Sequence, residues 1–210
     1  MIDLSSFDLI PDTCIHFMSA FTHLQHIIQT RRTVKPHLMN GRTIPPEQLL
    51  DILHLANWAP THGLTEPWRF LVYGGDKVQA FCQQHADLYR AHVPAEKYAE
   101  EKYEKFRHMG DLASHIVVAV MQRGQLPAIP VLEEIAAAAC AVQNILLGAT
   151  AQGLASYWGS GGMAYHPAMK QLLNLQEEDL VLGILYLGYT DKQLTGRRNT
   201  PIHSKITLIN

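Results

Sequence analysis

Hydrophobic and polar positions divide the chain into segments with helical spacing and short continuous apolar runs. Apolar residues that recur every three or four positions indicate helices, whereas short apolar runs bounded by turn residues indicate strands. The predicted helices cover residues 21–32, 45–59, 76–89, 94–108, 130–152 and 167–173, and the predicted strands cover 68–73, 115–121, 154–158 and 180–187. Because helices and strands alternate irregularly, the pattern predicts an α+β or α/β fold around one central sheet.

Two of the predicted helices differ sharply in polarity. The helix over residues 130–152 is rich in alanine and apolar almost all round, which is typical of a central helix. Its small side chains at 136–139 would let another helix approach closely, including one from a second subunit. The stretch over 94–108 is dense in Glu, Lys and Tyr, so it is either a solvated helix or a mobile excursion over a functional site.

The length of 210 residues predicts one domain with a sizeable core. We expect residues 1–20 to form an N-terminal extension, irregular to about residue 18, that packs on the core or reaches toward another chain. Residues 21–210 then form the domain. The sequence contains no internal repeat and no low-complexity tract.

Composition narrows the function classes. With 47% hydrophobic and 17% charged residues the chain is globular, and a net charge of −2 gives no reason to expect nucleic acid or an anionic membrane as the main partner. The N-terminal residues lack the pattern of a secretory signal, and we expect no apolar run of the roughly 18 residues that span a bilayer. The three cysteines include no close pair, which favours a reducing cytoplasm without disulfides. The twelve histidines suggest a metal, but His16, His23 and His26 have no supporting Cys or carboxylate cluster, so no metal site is predicted.

A basic segment, Arg31-Arg32-Thr33-Val34-Lys35, ends the first predicted helix. Guanidinium groups bind phosphate through two parallel hydrogen bonds, the Thr33 hydroxyl can donate, and Lys35 adds a point charge. Because the net charge of the chain is negative, any anion site must be a local cluster of this kind. The alternative is a charge cap on the negative end of the helix dipole.

Two loops are candidates for ligand contact. The first, residues 59–68, is punctuated by proline and glycine and leads to Trp68 at the start of a strand. It contains His62, which is either a ligand contact or a structural histidine. The second has the sequence Gly-Ser-Gly-Gly at 159–162 and follows the third predicted strand. Its spacing fits neither the dinucleotide fingerprint nor the P-loop, and a plain turn is the alternative.

Together these segments resemble the nitroreductase family of FMN-dependent oxidoreductases, over about residues 22–200. The resemblance rests on the basic segment, on the loop 59–68 and on residues 149–161, which contain Gly-Leu and then Trp-Gly-Ser-Gly. His62 makes the chain most similar to a small single-domain subgroup with histidine in an Ala-Pro-x-His loop. The sequence departs from many relatives at Leu64 and Glu66, where they carry Asn and Gln.

The resemblance implies which residues bind FMN. The basic segment would hold the phosphate and ribityl chain, the glycine segment would lie beside the flavin ring, and the loop 59–68 would reach the flavin of the partner subunit. Either Arg197 or Arg198, after the last strand, would complete the phosphate site. The implied cofactor-binding residues are Arg31, Arg32, Thr33, Lys35, Thr61, His62, Leu64, Trp158, Gly159, Ser160, Gly161, Arg197 and Arg198.

The resemblance also implies a fold and an activity. The fold would be α+β, with a central, mostly antiparallel sheet flanked by helices, in a homodimer with FMN at the interface. The activity would be ping-pong transfer of hydride from NAD(P)H through flavin N5 to a small organic acceptor such as a nitroaromatic or a quinone, with no catalytic side chain assigned. The alternatives are a flavin-binding module without turnover, for FMN storage or sensing, and a divergent reaction such as flavin fragmentation or dehalogenation.

Overall fold

The computed structural model describes residues 12–209, with side chains from residue 20 onward. The chain forms two compact units, Met1–Arg31 and Arg32–Asn210. The first unit contains helix α1 (Asp12–Thr30), which ends just before Arg31 as predicted but begins well before residue 21. The expected irregular stretch is therefore helical from Asp12 onward, and its first eleven residues lie outside the described residues. The predicted domain boundary at residue 20 stays a prediction.

The second unit holds five helices and four strands within its described residues. They are α2 (Pro46–Ala56), α3 (Asp76–His92), α4 (Glu100–Arg107), α5 (Val131–Ala151), α6 (Pro167–Leu172), β1 (Trp68–Gly74), β2 (His115–Met121), β3 (Ala155–Gly159) and β4 (Leu180–Gly188). Only the helix predicted over 94–108 differs in kind, because it is split into a 3-10 turn (Ala95–Lys97) and α4. The intervening Tyr98 and Ala99 are extended, and Tyr89 of α3 stabilises this break by accepting the Ala99 N–H at 3.1 Å.

The four strands form one antiparallel sheet in the order β1-β2-β4-β3. This confirms the predicted α+β fold with a central antiparallel sheet. On the outer edge of β3, Thr33 forms an isolated parallel bridge to Ser156, and the Val34 N–H donates to the Ser156 carbonyl at 2.9 Å. The basic segment is thereby tied to the strand that precedes the glycine-rich turn.

Helices cover both faces of the sheet, which explains the continuous apolar run of β2. Side chains of a strand alternate between the two faces. Ile116 and Val118 pack with α3 and α4, whereas Val117 and Ala119 pack with α2 and α5. Each face has its own core cluster, so every residue of β2 after His115 is buried.

Helix α5 is 21 residues long with a mean hydropathy of 1.4, so by length and composition alone it is long and apolar enough to span a membrane. Its inner side chains, among them Ala138 and Val142, are fully buried in the core cluster that contains α2. At Gly148 the two helices approach so closely that a Cβ atom would meet Leu55 at 2.6 Å. These contacts account for the apolar composition of α5 as that of a core helix.

Candidate functional site

The basic segment starts in one unit and continues in the other. Arg31 belongs to the first unit, where its backbone N–H donates to the Ile27 carbonyl at 3.0 Å. In the second unit Val34 is buried and anchors the segment to β3, while Thr33 and Lys35 on either side of it are exposed. Because side chains alternate in direction along an extended backbone, the Thr33 hydroxyl and the Lys35 ammonium group are exposed on the side opposite to Val34.

The C-terminal segment passes directly over Arg32. The Gly196 backbone lies so close to the Arg32 guanidinium group that a Cβ atom there would displace this side chain. Arg197 and Arg198 follow immediately and are exposed, and Arg198 Nη1 donates to the Arg197 carbonyl at 3.0 Å. The backbone that leads into Arg197 and Arg198 therefore lies beside Arg32.

Lys35 lines a cavity of about 380 Å³ between its own segment and α4. The other lining residues are Pro36, His37, Lys105, His108, Met109 and Tyr157. No carboxylate is among them, so the cavity is a basic pocket with an apolar and aromatic surface formed by Met109 and Tyr157.

A second cavity of about 220 Å³ adjoins the first, since Lys105, Met109 and Tyr157 line both. It extends to the glycine-rich turn, where Gly159 and Gly161 line it. We call the two cavities together the α4 cleft. The cleft joins two segments that the sequence predicts as cofactor-binding, and α4 forms one side of it.

A buried histidine supports the glycine-rich turn from beneath. His85 of α3 is 2% exposed, its Nε2 accepts the Met163 N–H at 2.9 Å, and its ring stacks on Phe106 with centroids 5.0 Å apart. Burial lowers the pKa of His85 to about 4, so the ring is neutral at pH 7 and its Nε2 is free to accept. Gly162, with φ of +66°, passes over this ring at a distance that leaves no room for a Cβ atom.

Trp158 lies on the opposite face of β3 from Tyr157. Its Nε1–H donates to the Leu182 carbonyl at 3.0 Å, and the indole covers Gly183 so closely that a Cβ there would overlap it. It lines an apolar cavity of about 430 Å³ with Ile135 and Ala139 of α5. The predicted ring-binding residues 158–161 thus lie at one strand end but face two different environments.

The loop 59–68 is held in an uncommon backbone conformation. Gly63, Leu64 and Glu66 all have positive φ angles, of 58°, 52° and 43°, and only glycine adopts this region readily. The Thr61 hydroxyl accepts the Glu66 N–H at 3.2 Å and so closes the loop on itself. Leu64 is 82% exposed at its tip.

His62 is paired with a carboxylate at the start of α5, because its Nδ1 lies 2.6 Å from Glu133 Oε2. Neither His62 nor its neighbours Thr61 and Leu64 line the α4 cleft of the same chain. Their predicted contact with a cofactor therefore stays a prediction.

A further cavity of about 810 Å³ is lined by Thr65 of the loop 59–68 and by Arg123, and the sequence does not predict it. Beside it Arg123 forms an ion pair with Glu134 of α5, whose side chain is 1% exposed, and the Gly124 N–H donates to the same carboxylate at 3.1 Å. Asp179 accepts the Arg123 backbone N–H at 3.0 Å. An acidic residue in the first turn of a helix is common, so the sequence alone does not distinguish Glu134 from Glu133.

Comparison with known proteins identifies the family of this chain. The Nitroreductase family model matches residues 28–189, which is most of the chain. The protein therefore belongs to the nitroreductase family, and the predicted family and class of oxidoreductase are confirmed.

Individual relatives cover nearly the whole chain. YfhC of Bacillus subtilis (strain 168), named as an NAD(P)H nitroreductase, is 27% identical over 186 residues, which are 88% of this chain and 93% of that protein. The solved structure of a nitroreductase-like family protein from Bacillus cereus has a TM-score of 0.73 at 26% identity and covers 89% and 95% of the two chains. A nitroreductase from Desulfovibrio desulfuricans, solved in complex with FMN, shares the fold with a TM-score of 0.67 at 21% identity and coverage of 89% and 96%.

Proposed function

We propose that the protein is an FMN-dependent oxidoreductase that takes hydride from NAD(P)H and passes it to a small organic acceptor such as a nitroaromatic or a quinone. The observation that carries this proposal is the α4 cleft, where Lys35, Lys105 and the glycine-rich turn surround one basic space. The name of the Bacillus subtilis relative and the FMN complex of the Desulfovibrio relative support the choice of nicotinamide and flavin.

The chemistry of the cleft suits FMN. The cofactor has an anionic phosphate and a planar ring, and the cleft offers ammonium groups together with the flat surface of Tyr157 and a glycine turn that a ring can approach closely. Bound FMN would supply reversible two-electron chemistry that no side chain provides. Arg32, with Arg197 and Arg198 after Gly196, is suited to the phosphate.

The residues of this chain would bind and orient the reactants and exclude water. Lys35 and the arginines would fix the cofactor by charge, and the neutral His85 would keep the turn at 159–162 in place through the Met163 N–H. No side chain is needed as an acid or base for the first hydride transfer. Backbone N–H groups of the turn could stabilise negative charge beside the ring.

A homodimer with FMN at the interface would unite the two halves of the predicted site. Large apolar side chains are exposed on α5, just after α2 and on the loop, with Leu132, Trp58 and Leu64 at 75%, 84% and 82% exposure. Large apolar side chains exposed to this extent would be covered by association with a second chain. A second chain could place its loop 59–68, which does not line the α4 cleft of its own chain, against the cofactor of the first.

Two experiments test this function. Analytical ultracentrifugation of wild-type protein and of Leu132→Glu should give a dimer and a monomer respectively, with FMN retained only by the dimer. FMN-loaded enzyme reduced anaerobically with NADPH or NADH should regain its oxidised spectrum when nitrobenzene or 1,4-benzoquinone is added. A reduced enzyme that transfers no electrons to either acceptor would remove the proposed acceptor class.

A further inference from the structure

His62 and Glu133 form a polar pair between the loop 59–68 and the first turn of α5. His62 Nδ1 lies 2.6 Å from Glu133 Oε2, and the two side chains are 65% and 47% exposed. Because an ionised carboxylate can only accept hydrogen bonds, Nδ1 carries a proton and donates to Glu133. The second ring nitrogen, Nε2, makes no hydrogen bond within the part of the chain that the structure describes, so a small molecule can reach it.

The backbone around His62 is fixed although the side chain is exposed. Gly63 packs on the segment that precedes α5, where a Cβ atom would meet Ile129 at 2.8 Å and Leu126 at 3.2 Å. Its φ of 58° is one that other residues rarely adopt. On the other side of Gly63, the Thr65 N–H donates to the His62 carbonyl at 3.3 Å. The imidazole is therefore oriented in advance, as a group that reacts with a small molecule requires.

Two other histidines show what distinguishes His62. Both ring nitrogens of His108 lie near carboxylates, with Nδ1 2.8 Å from Asp111 and Nε2 3.3 Å from Glu104. His85 is buried, and its Nε2 accepts a backbone hydrogen bond. His62 instead combines a carboxylate on one nitrogen with an accessible second nitrogen. In the imidazolium form of His62, the proton that can leave is consequently the one on Nε2.

We propose that His62 is a catalytic residue that donates a proton to the acceptor, and that Glu133 is a positioning residue that orients it. This inference rests on the proposed function and its homodimer, because the loop 59–68 does not line the α4 cleft of its own chain. Reduction of a quinone to a hydroquinone adds one hydride and one proton. The hydride reaches one carbonyl oxygen from the cofactor of the second chain, and Nε2 of the His62 imidazolium gives its proton to the other oxygen. The neutral imidazole then regains a proton from water.

The test separates an acceptor that needs a proton from one that does not. FMN-loaded wild type, His62→Gln, Glu133→Gln and the control His54→Gln are reduced anaerobically with one equivalent of NADPH or NADH. Each is then mixed with 1,4-benzoquinone or with ferricyanide, which takes up electrons without a proton. His54 is an exposed histidine of α2 that lines none of the four cavities. Stopped-flow absorbance gives the rate of flavin reoxidation, and calorimetry gives the FMN dissociation constant of each protein.

We expect His62→Gln to slow reoxidation by benzoquinone about 100-fold, which is at the lower end of what general acid catalysis contributes. Glu133→Gln should cause a smaller loss, because the amide oxygen still accepts from Nδ1 but carries no charge. Reoxidation by ferricyanide and the FMN dissociation constants should stay near the wild-type values in both variants. All rates of His54→Gln should do the same.

The contrary results can be told apart. Equal slowing with both acceptors, or a weaker affinity for FMN that accounts for the loss, would assign His62 to binding of the cofactor and overturn proton donation. An unchanged rate with benzoquinone in His62→Gln would remove this residue from the reaction and leave the proposed function standing. A wild-type protein that retains no FMN, or whose reduced flavin neither acceptor reoxidises, would reject the proposed function and this inference together. Far-UV circular dichroism of each variant verifies that the fold is kept.

Discussion

Tyr157 and Trp158 are neighbours in β3 and define two different environments. Tyr157 lines the α4 cleft, whose charged lining residues are lysines, whereas Trp158 lines an apolar cavity against α5 that contains the single charge of Lys170. Strand alternation alone separates these environments by one residue. One short strand can therefore contact a charged cofactor through Tyr157 and an apolar protein surface through Trp158.

The two sides are also stabilised differently. The side of the α4 cleft rests on His85, a neutral buried group whose hydrogen bond holds the glycine-rich turn. The side of α5 rests on the ion pair between Glu134 and Arg123, where both partners are charged and nearly buried. A neutral support and a charged support respond differently to mutation and to pH, so the comparison can be tested from both sides.

The largest expected effect is on the α5 side. Glu134→Gln leaves the Arg123 guanidinium, with its side chain 13% exposed, beside a group that no longer neutralises it. We expect the free energy of unfolding to fall by about 3–5 kcal/mol. Urea denaturation at a fixed protein concentration measures this change.

The adjacent residue provides the matched control. Glu133 pairs with His62 at the surface, where the two side chains are 47% and 65% exposed. Glu133→Gln should cost no more than about 1 kcal/mol, because exposed ion pairs contribute little. Equal losses of unfolding free energy in Glu134→Gln and Glu133→Gln would show that burial does not make the Glu134 ion pair more important for stability than the exposed Glu133 pair.

An intermediate effect is expected on the other side, and it depends on pH. Burial lowers the pKa of His85 from 6.5 to about 4, so between these values the unfolded chain binds a proton that the folded protein does not. Stability is therefore full above pH 6.5 and falls as the pH drops toward 4, by roughly 3 kcal/mol at about 1.4 kcal/mol for each pKa unit.

His85→Gln keeps a hydrogen-bond acceptor but cannot titrate. Its unfolding free energy should depend less on pH than that of the wild type across this window. Burial lowers the pKa of His115 as well, so the difference between the two proteins, rather than the wild-type curve alone, is the quantity to compare. Parallel curves would contradict the assignment of a neutral buried His85.

The smallest predicted effect concerns the two lysines that distinguish the cavities. Lys35→Met should raise the FMN dissociation constant about tenfold or more, since a charge-assisted hydrogen bond contributes about 1.5–3 kcal/mol. Lys170→Met should leave it within about threefold of wild type, because Lys170 Nζ donates to the Glu177 carbonyl at 2.7 Å on the apolar side. Isothermal titration calorimetry measures both; a larger loss for Lys170→Met would reverse the comparison.

Much of the fold could be predicted because its signals are local. The bounds of β2 agree with the sequence prediction, since the six residues after His115 are all apolar and buried. The turn after β3 was likewise recognised from its glycines. The break before α4 was not, because it depends on Tyr89, which lies on another helix.

The site was less predictable for the same reason. Lys35 stands out in a basic segment, but Lys105 is one lysine among many in a polar helix and acquires its position only from the packing of α4. His85 lies in a helix whose sequence gives no sign that this position is buried against the turn. Contacts between residues distant in sequence decide which of several similar side chains reaches the cleft.

The most direct test of the central claim is a spectrum. Purified protein is mixed with FMN, passed through a gel-filtration column and then exposed anaerobically to NADPH or NADH. We predict that oxidised flavin absorbance elutes with the protein at the size of a dimer and is bleached by at least one of the two nicotinamides. A protein that emerges colourless, or one whose bound flavin stays oxidised with both, would contradict the account.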